Sequence, residues 1–129
     1  MCNVNVIPFQ FHQLLYNLVS NALKFSKPDE PPVITIESEY GKGKKWNISG
    51  LEAGTDYCRI SVRDHGIGFD SNYKSQIFTI GKLLHERNEY TGTGVGLAIV
   101  KKIVENHRGI VTADSKLGKG SVFDIYIPG

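Results

Sequence analysis

Three short segments of this chain place polar side chains and glycines where they could bind a charged ligand. The first contains Asn17, Asn21 and Lys24, which recur at helical spacing on one face, away from the leucine stripe that includes Leu14. Two carboxamides and an ammonium group in one row suit a magnesium ion and a polyphosphate, because magnesium prefers hard oxygen ligands. The ordinary polar face of an amphipathic helix is the alternative interpretation.

The second segment is Asp64-His65-Gly66-Ile67-Gly68-Phe69, which follows a run of alternating apolar residues. A carboxylate at the point where a strand becomes a glycine-rich turn can accept a hydrogen bond from an exocyclic amine. The two glycines would let the backbone approach a flat ring closely, since they carry no Cβ. A turn with an incidental aspartate is the alternative.

The third segment, Gly92-Thr93-Gly94-Val95-Gly96-Leu97, opens a predicted helix. Glycines at this point let successive backbone N–H groups face an anion, and the helix N-terminus adds a favourable dipole. The segment is not a Walker sequence, because no lysine with serine or threonine follows its last glycine. It is not a dinucleotide fingerprint either, because no strand precedes it. Alone, it is weak support for a phosphate site.

Apolar periodicity predicts the elements that position these segments. One helix begins near Pro8 and ends before Pro28, and a second runs from Gly96 to His107, with Gly109 as a left-handed cap. Strands are expected near residues 33–37, 57–63, 110–114 and 122–127, a long connection at 41–56, and a mobile loop at 81–94. This order predicts an α/β (α+β) two-layer sandwich in which a mixed, largely antiparallel sheet packs on helices.

The length of 129 residues suits a single domain over residues 1–129. The formal net charge of +2 gives no reason to expect nucleic acid as a partner. Cys2 and Cys58 have no metal-binding spacing and predict no disulfide framework, and Cys58 has the position of a small core residue. Since the sequence has no signal peptide and no long apolar segment, we expect a cytoplasmic domain without direct membrane contact.

Taken in this order, the three segments resemble the asparagine box and the two glycine boxes of sensor histidine kinases. Ile77-Phe78 matches the start of that family's phenylalanine box, and the tail from Gly118 to Phe123 looks like its closing strand. The resemblance extends from Phe11 to Pro128. It implies the Bergerat ATP-binding fold, in which a mixed sheet packs against three helices and ATP lies between helices and a flexible lid.

By this resemblance, Asn21 would ligate Mg2+, Asn17 would lie beside it on the phosphate side, and Lys24 would contact phosphate. Asp64 would accept the adenine amine, with Ser121 near it through water, and the lid would run from residue 78 to residue 93. The other implied nucleotide-binding positions are Phe25 against the nucleoside, then Gly66, Ile67, Gly68 and Phe69 around the adenine, and Gly92, Thr93, Gly94, Val95, Gly96 and Leu97 at the phosphates.

The implied activity is that of an ATP-binding catalytic domain, a protein-histidine kinase that transfers the γ-phosphate to a histidine on a separate dimerisation domain and acts indirectly on a response regulator. Related gyrase-type and chaperone-type ATPases carry a water-activating glutamate at the position of Asn17, so this chain should hydrolyse ATP slowly. None of its four histidines stands in the family's phosphoacceptor context, so we expect the acceptor and the dimerisation helices on another segment.

Three residues depart from the family pattern. His65 replaces a frequent asparagine, and Gly81 and Leu83 replace a phenylalanine and an arginine of the phenylalanine box. Lys82 could take the catalytic place of the arginine and act together with Asn17 and Lys24, although an ammonium group cannot make bidentate contacts. A degenerate, non-catalytic nucleotide-binding module that scaffolds a partner is therefore one alternative, and a serine-phosphorylating anti-sigma-type relative is another.

Overall fold

A computed structural model describes residues 6–24, 26–68, 78 and 94–129 of the chain. The first helix, α1, spans Pro8–Lys24. Proline suits its first position, where the missing N–H would have no partner within the helix. Leu14, Leu18 and Ala22, one turn apart, are all buried, so this stripe of α1 faces the core as the periodicity predicted.

Four strands form one sheet in the order β1-β2-β4-β3. They are β1 (Ile34–Lys42), β2 (Asp56–Asp64), β3 (Ile110–Lys116) and β4 (Gly120–Pro128). Ser121 of β4 lies opposite Asp64 of β2 on one side and opposite Ser115 of β3 on the other. The prediction of a largely antiparallel sheet is confirmed, and the described strands contain no parallel pair.

The connection between β1 and β2 is shorter than the sequence predicted. Gly41 and Lys42 have the composition of a loop, but they continue β1 opposite Tyr57 and Asp56. An ion pair of 3.0 Å between Lys42 and Asp56 supports this extension. A single 3-10 turn, Gly43–Lys45, then begins the connection.

The second long helix, α2, spans Gly94–Asn106 and begins two residues earlier than predicted. The prediction that Gly109 is its left-handed cap is wrong, because Arg108 has the positive φ of 58°. The N–H of Gly109 donates to the carbonyl of Val104 over 2.9 Å, as the residue after a left-handed cap does. Glycine is needed there for space, since a Cβ would lie 2.3 Å from the carbonyl oxygen of Tyr126.

Both helices pack on one face of the sheet around a hydrophobic core, which confirms the two-layer sandwich. The core is formed by Leu14, Leu18, Cys58, Ile60, Val62, Phe78, Leu97, Val100, Ile103, Val104, Ala113, Phe123, Ile125 and Ile127. Cys58 is buried as predicted, but it is disulfide-bonded, so the prediction of a chain without a disulfide is wrong. Sequence spacing does not reveal which sulfur atoms a fold brings together. Neither described helix is both long and apolar enough to cross a membrane.

Candidate functional site

Asp64 is a buried carboxylate at the end of β2. The residue is 8% exposed, and its Oδ1 atom accepts a hydrogen bond of 2.8 Å from the backbone N–H of Gly66. Burial raises the pKa of Asp64, while the backbone N–H groups of Gly66 and Ser121 and the charge of His65 oppose this rise. Because side chains alternate along a strand, Asp64 lies on the same face as the core residue Val62. A hydrogen-bond acceptor therefore sits on the helix side of the sheet.

Two glycines with positive φ join the turn after Asp64 to the hairpin between β3 and β4. Gly68 has a φ of 70°, and a Cβ there would lie 2.2 Å from the carbonyl oxygen of Lys116. Gly120 has a φ of 96°, and a Cβ there would lie 2.1 Å from the carbonyl oxygen of Asp64. These neighbours are backbone atoms, so no side-chain movement could make room. The glycines let three chain segments meet beside Asp64.

Two serine hydroxyls lie at this same end of the sheet. Ser115 Oγ donates to the carbonyl oxygen of Gly120 over 2.6 Å and lies 3.0 Å from Ser121 Oγ. Ser115 is 5% exposed, and it was not among the predicted site residues because the predicted β3 ended at Asp114. The alternation of small residues at Ala113 and Ser115 was the signal that could have found it. A cavity of about 450 Å³ opens at this end, with Ser115 and Ser121 in its walls.

Asn17 and Asn21 lie half-buried on α1, one turn apart. The Nδ2 atom of Asn17 and the Oδ1 atom of Asn21 are buried and have no hydrogen-bond partner among the described residues. A buried polar atom without a partner costs roughly 1–3 kcal/mol, and a ligand that paired with these two atoms would recover that cost. The prediction that this row points away from the leucine stripe is wrong. Asn21 follows Leu14 by two helical turns and therefore borders the buried stripe.

Other predicted site positions are described in part or not at all. Lys24 is the last residue of α1, but its side chain lies outside the described structure, as do Phe25, Phe69, Lys82, Gly92 and Thr93. Of the predicted lid, only Phe78 is described. Gly94, Val95 and Gly96 form the first residues of α2, so their backbone lies at a helix N-terminus, and Leu97 is buried in the core.

The family described as "histidine kinase-, DNA gyrase B-, and HSP90-like ATPase" matches residues 7–129 by its sequence profile. The chain belongs to this family. The match confirms the family that the three boxes resemble, and with it the Bergerat-type ATP-binding fold of a sheet packed on helices. Of the positions predicted from the three boxes, those that the structure describes include Asp64, Asn17, Asn21 and the α2 N-terminus.

Curated relatives include sensor kinases and phytochromes. Cyanobacterial phytochrome A of Nostoc sp. is 44% identical over 119 residues, which cover 92% of this chain and 14% of that protein. The circadian input-output histidine kinase CikA of Synechococcus elongatus is 33% identical over 123 residues, which cover 94% of this chain and 14% of that protein. The domain therefore spans 14% of the length of these relatives.

Two solved structures resemble the domain at a TM-score of 0.65. The nucleotide-free catalytic domain of histidine kinase ThkA is 28% identical, with 97% of this chain and 70% of that chain covered. Full-length ShkA in complex with AMPPNP is 27% identical, with 92% of this chain and 21% of that chain covered. Together with the relatives, these structures make the chain an ATPase-type domain of sensor histidine kinases.

Proposed function

We propose that this domain binds ATP with Mg2+ and, within a longer sensor kinase, supplies the γ-phosphate to a histidine on a dimerisation domain. One observation carries the proposal. The buried carboxylate of Asp64 and the unpaired amide atoms of Asn17 and Asn21 all lie on the helix side of the sheet. An adenine amine would satisfy the first, and a polyphosphate with its metal would satisfy the other two.

Asp64 would select adenine by its hydrogen-bonding pattern. Adenine presents an exocyclic amine, which is a donor, at the ring position where guanine presents a carbonyl oxygen. A carboxylate accepts from the amine but would repel the carbonyl oxygen. Its neighbour Gly66 already uses one side of the carboxylate, with a hydrogen bond of 2.8 Å to Oδ1, which fixes the direction of the group. The site would therefore prefer ATP to GTP.

The two asparagines fit different parts of a metal–phosphate group. Asn21 offers an unpaired Oδ1, the hard oxygen donor that Mg2+ prefers. Asn17 offers an unpaired Nδ2, a donor that suits a phosphate oxygen. When bound, the metal would neutralise charge on the phosphates. Lys24, one turn beyond Asn21, and the backbone N–H groups at the start of α2 would add to this neutralisation.

Asn17 also limits what the site does to water. A carboxamide cannot take a proton, so this position cannot serve as a general base for hydrolysis. ATP would therefore remain intact until a protein histidine attacks the γ-phosphate in line. The expected partner is the phosphoacceptor and dimerisation segment of the parent kinase, and a response regulator would accept the phosphate afterwards.

A non-catalytic module that binds nucleotide and scaffolds a partner is the second candidate. The observation in its favour is Gly81 and Leu83, which stand where the family pattern has a phenylalanine and an arginine. Loss of the arginine removes one cation that would face the γ-phosphate, and Lys82 would replace it only as a point charge. Both candidates require the same adenine and metal contacts, so they differ only in phosphate transfer.

Calorimetry with ATP and Mg2+ tests the binding step. Asn21→Ala should weaken binding about tenfold or more, because it removes the proposed metal ligand. Asn106→Ala is the matched control, since Asn106 is exposed at the far end of α2, where its Nδ2 atom donates a hydrogen bond of 3.3 Å to Gln10. Equal affinity for wild type and Asn21→Ala would overturn the metal assignment.

Labelled ATP tests the transfer step. The domain is mixed with the dimerisation and phosphoacceptor segment of its parent kinase, and acid-labile phosphate on that segment is measured. Transfer supports the kinase. Tight binding of ATP with no transfer would instead support the scaffolding module.

A further inference from the structure

We propose that Ser115 is a positioning residue for adenine recognition, because its hydroxyl orients the peptide group between Gly120 and Ser121, which packs against the backbone of Asp64 at the end of β2. The inference rests on the proposed function, since it takes Asp64 as the adenine acceptor. Ser115 would act through this peptide group and would not touch the nucleotide.

The direction of each hydroxyl at this site follows from proton counting. Ser115 Oγ lies 2.6 Å from the carbonyl oxygen of Gly120, which can only accept a hydrogen bond. The single hydroxyl proton of Ser115 is therefore used there. Ser121 Oγ, 3.0 Å from Ser115 Oγ, must then donate to it. The lone pairs of Ser121 Oγ consequently remain to accept from a water or a ligand group.

The carbonyl that Ser115 contacts belongs to the same peptide group as the N–H of Ser121. A hydrogen bond to a carbonyl polarises the peptide and makes its N–H a stronger donor. Ser121 lies opposite Asp64 in the register of β2 and β4, and a Cβ on Gly120 would lie 2.1 Å from the carbonyl oxygen of Asp64, so this peptide group packs against the backbone of Asp64. The Ser115 hydroxyl is therefore connected, through one peptide group, to the backbone that carries the Asp64 carboxylate.

The surroundings of Ser115 fix its hydroxyl in this role. Ser115 is 5% exposed and lies directly opposite Ser121 in the register of β3 and β4. A Cβ on Gly68 would lie 2.9 Å from Ser115 Oγ, so the turn after Asp64 packs closely against this hydroxyl. Removing the hydroxyl would take its donor from the Gly120 carbonyl and loosen the support of that turn.

The test compares Ser115→Ala with Ser115→Thr, which keeps the hydroxyl, and with Ser38→Ala on the exposed face of β1 as control. Two quantities are measured: the Kd for ATP with Mg2+ by calorimetry, and the amide proton shift of Ser121 by NMR in the absence of nucleotide. Ser115→Ala should weaken ATP binding about three- to tenfold and move the Ser121 amide proton upfield. Ser115→Thr should restore both, and Ser38→Ala should change neither.

Two outcomes would overturn the inference. One is a Ser115→Ala variant that binds ATP like wild type with an unmoved Ser121 amide; the other is an equal loss in Ser115→Ala and Ser115→Thr, which would indicate packing alone. If Ser115→Ala does not fold, Ser115→Cys replaces it as a weak donor of similar shape. A wild-type domain that fails to bind ATP would refute the proposed function, whereas the amide shift would still test the hydrogen bond from Ser115 to the Gly120 carbonyl.

Discussion

The close contact between Gly120 and the backbone of Asp64 predicts that Gly120→Ala lowers the free energy of unfolding by an unusually large amount. A Cβ at Gly120 would lie 2.1 Å from the carbonyl oxygen of Asp64 and 2.9 Å from the Cα of His65. Since both are backbone atoms, β2 or β4 must move. The φ of 96° adds strain of about 1–2 kcal/mol for a residue with a side chain, and overpacking adds about 1–3 kcal/mol. We expect a total loss of about 2–5 kcal/mol in the free energy of unfolding.

Gly118 supplies a matched control in the same hairpin. Its φ of 80° is also left-handed, but a Cβ there would meet no atom within 4 Å. Gly118→Ala should therefore cost only the backbone strain of about 1–2 kcal/mol. The two alanine variants share the residue change, the strand pair and the type of strain. Their difference, about 1–3 kcal/mol, measures the close approach of Gly120 to β2 alone.

Urea unfolding followed by circular dichroism gives both free energies, and calorimetry gives the affinity of each variant for ATP. Gly120→Ala should lose stability and ATP binding together, because the displaced backbone carries Asp64 with it. Gly118→Ala should keep its affinity for ATP. If the two variants unfold within about 0.5 kcal/mol of each other, less than ordinary overpacking costs, the backbone contact between Gly120 and Asp64 is not as described.

Three further predictions concern the candidate site. Asp64→Asn should weaken ATP binding roughly 10- to 100-fold in calorimetry, because it replaces a charged acceptor. The same variant should unfold at a higher urea concentration than wild type at pH 7. Burial raises the pKa of Asp64, and a folded state with a raised carboxyl pKa loses stability as the pH rises from the ordinary pKa to the raised one. For the same reason the wild-type affinity for ATP should fall on acidification while the pH is still above the ordinary value of 3.8, and a flat profile there would contradict the assignment. Hydrolysis of ATP by the isolated domain should stay well below about 1 per second in a phosphate-release assay. A faster turnover would contradict the argument that hydrolysis is slow because Asn17 cannot act as a general base.

The sequence predicted the elements wherever burial alone decides the pattern. Leu14 and Leu18 mark the buried stripe of α1, and the alternation through Ile60 and Val62 marks the core face of β2. The spacing of apolar residues along the sequence indicates which side chains are buried, and in α1 and β2 these are the residues that the structure buries. The prediction ended β1 too early, because Gly41 is held in the strand by pairing with Tyr57, and no local sequence pattern indicates this pairing.

The site was predictable in its identity and less so in its geometry. Asp64 stood out because a carboxylate precedes two spaced glycines, and the match confirms the family that this segment resembles, while the role of Asp64 stays a prediction. The prediction that Asn21 points away from the leucine stripe is wrong, because polar character alone does not show that a helical residue avoids the apolar stripe that it borders. The alternation of Ala113 and Ser115 indicates that Ser115 shares the inner face of the strand, but its contacts with Gly120 and Ser121 depend on the register of the β3–β4 hairpin and could not be predicted.

The central claim, that this domain holds ATP through an adenine acceptor at Asp64, is tested most directly by calorimetry of wild type and Asp64→Asn with ATP and with GTP, each with and without Mg2+. We expect wild type to bind ATP in the presence of Mg2+, to bind GTP at least about tenfold more weakly, and to lose most of this preference in Asp64→Asn. Equal affinities of wild type for ATP and GTP, or a preference that survives in Asp64→Asn, would contradict the account.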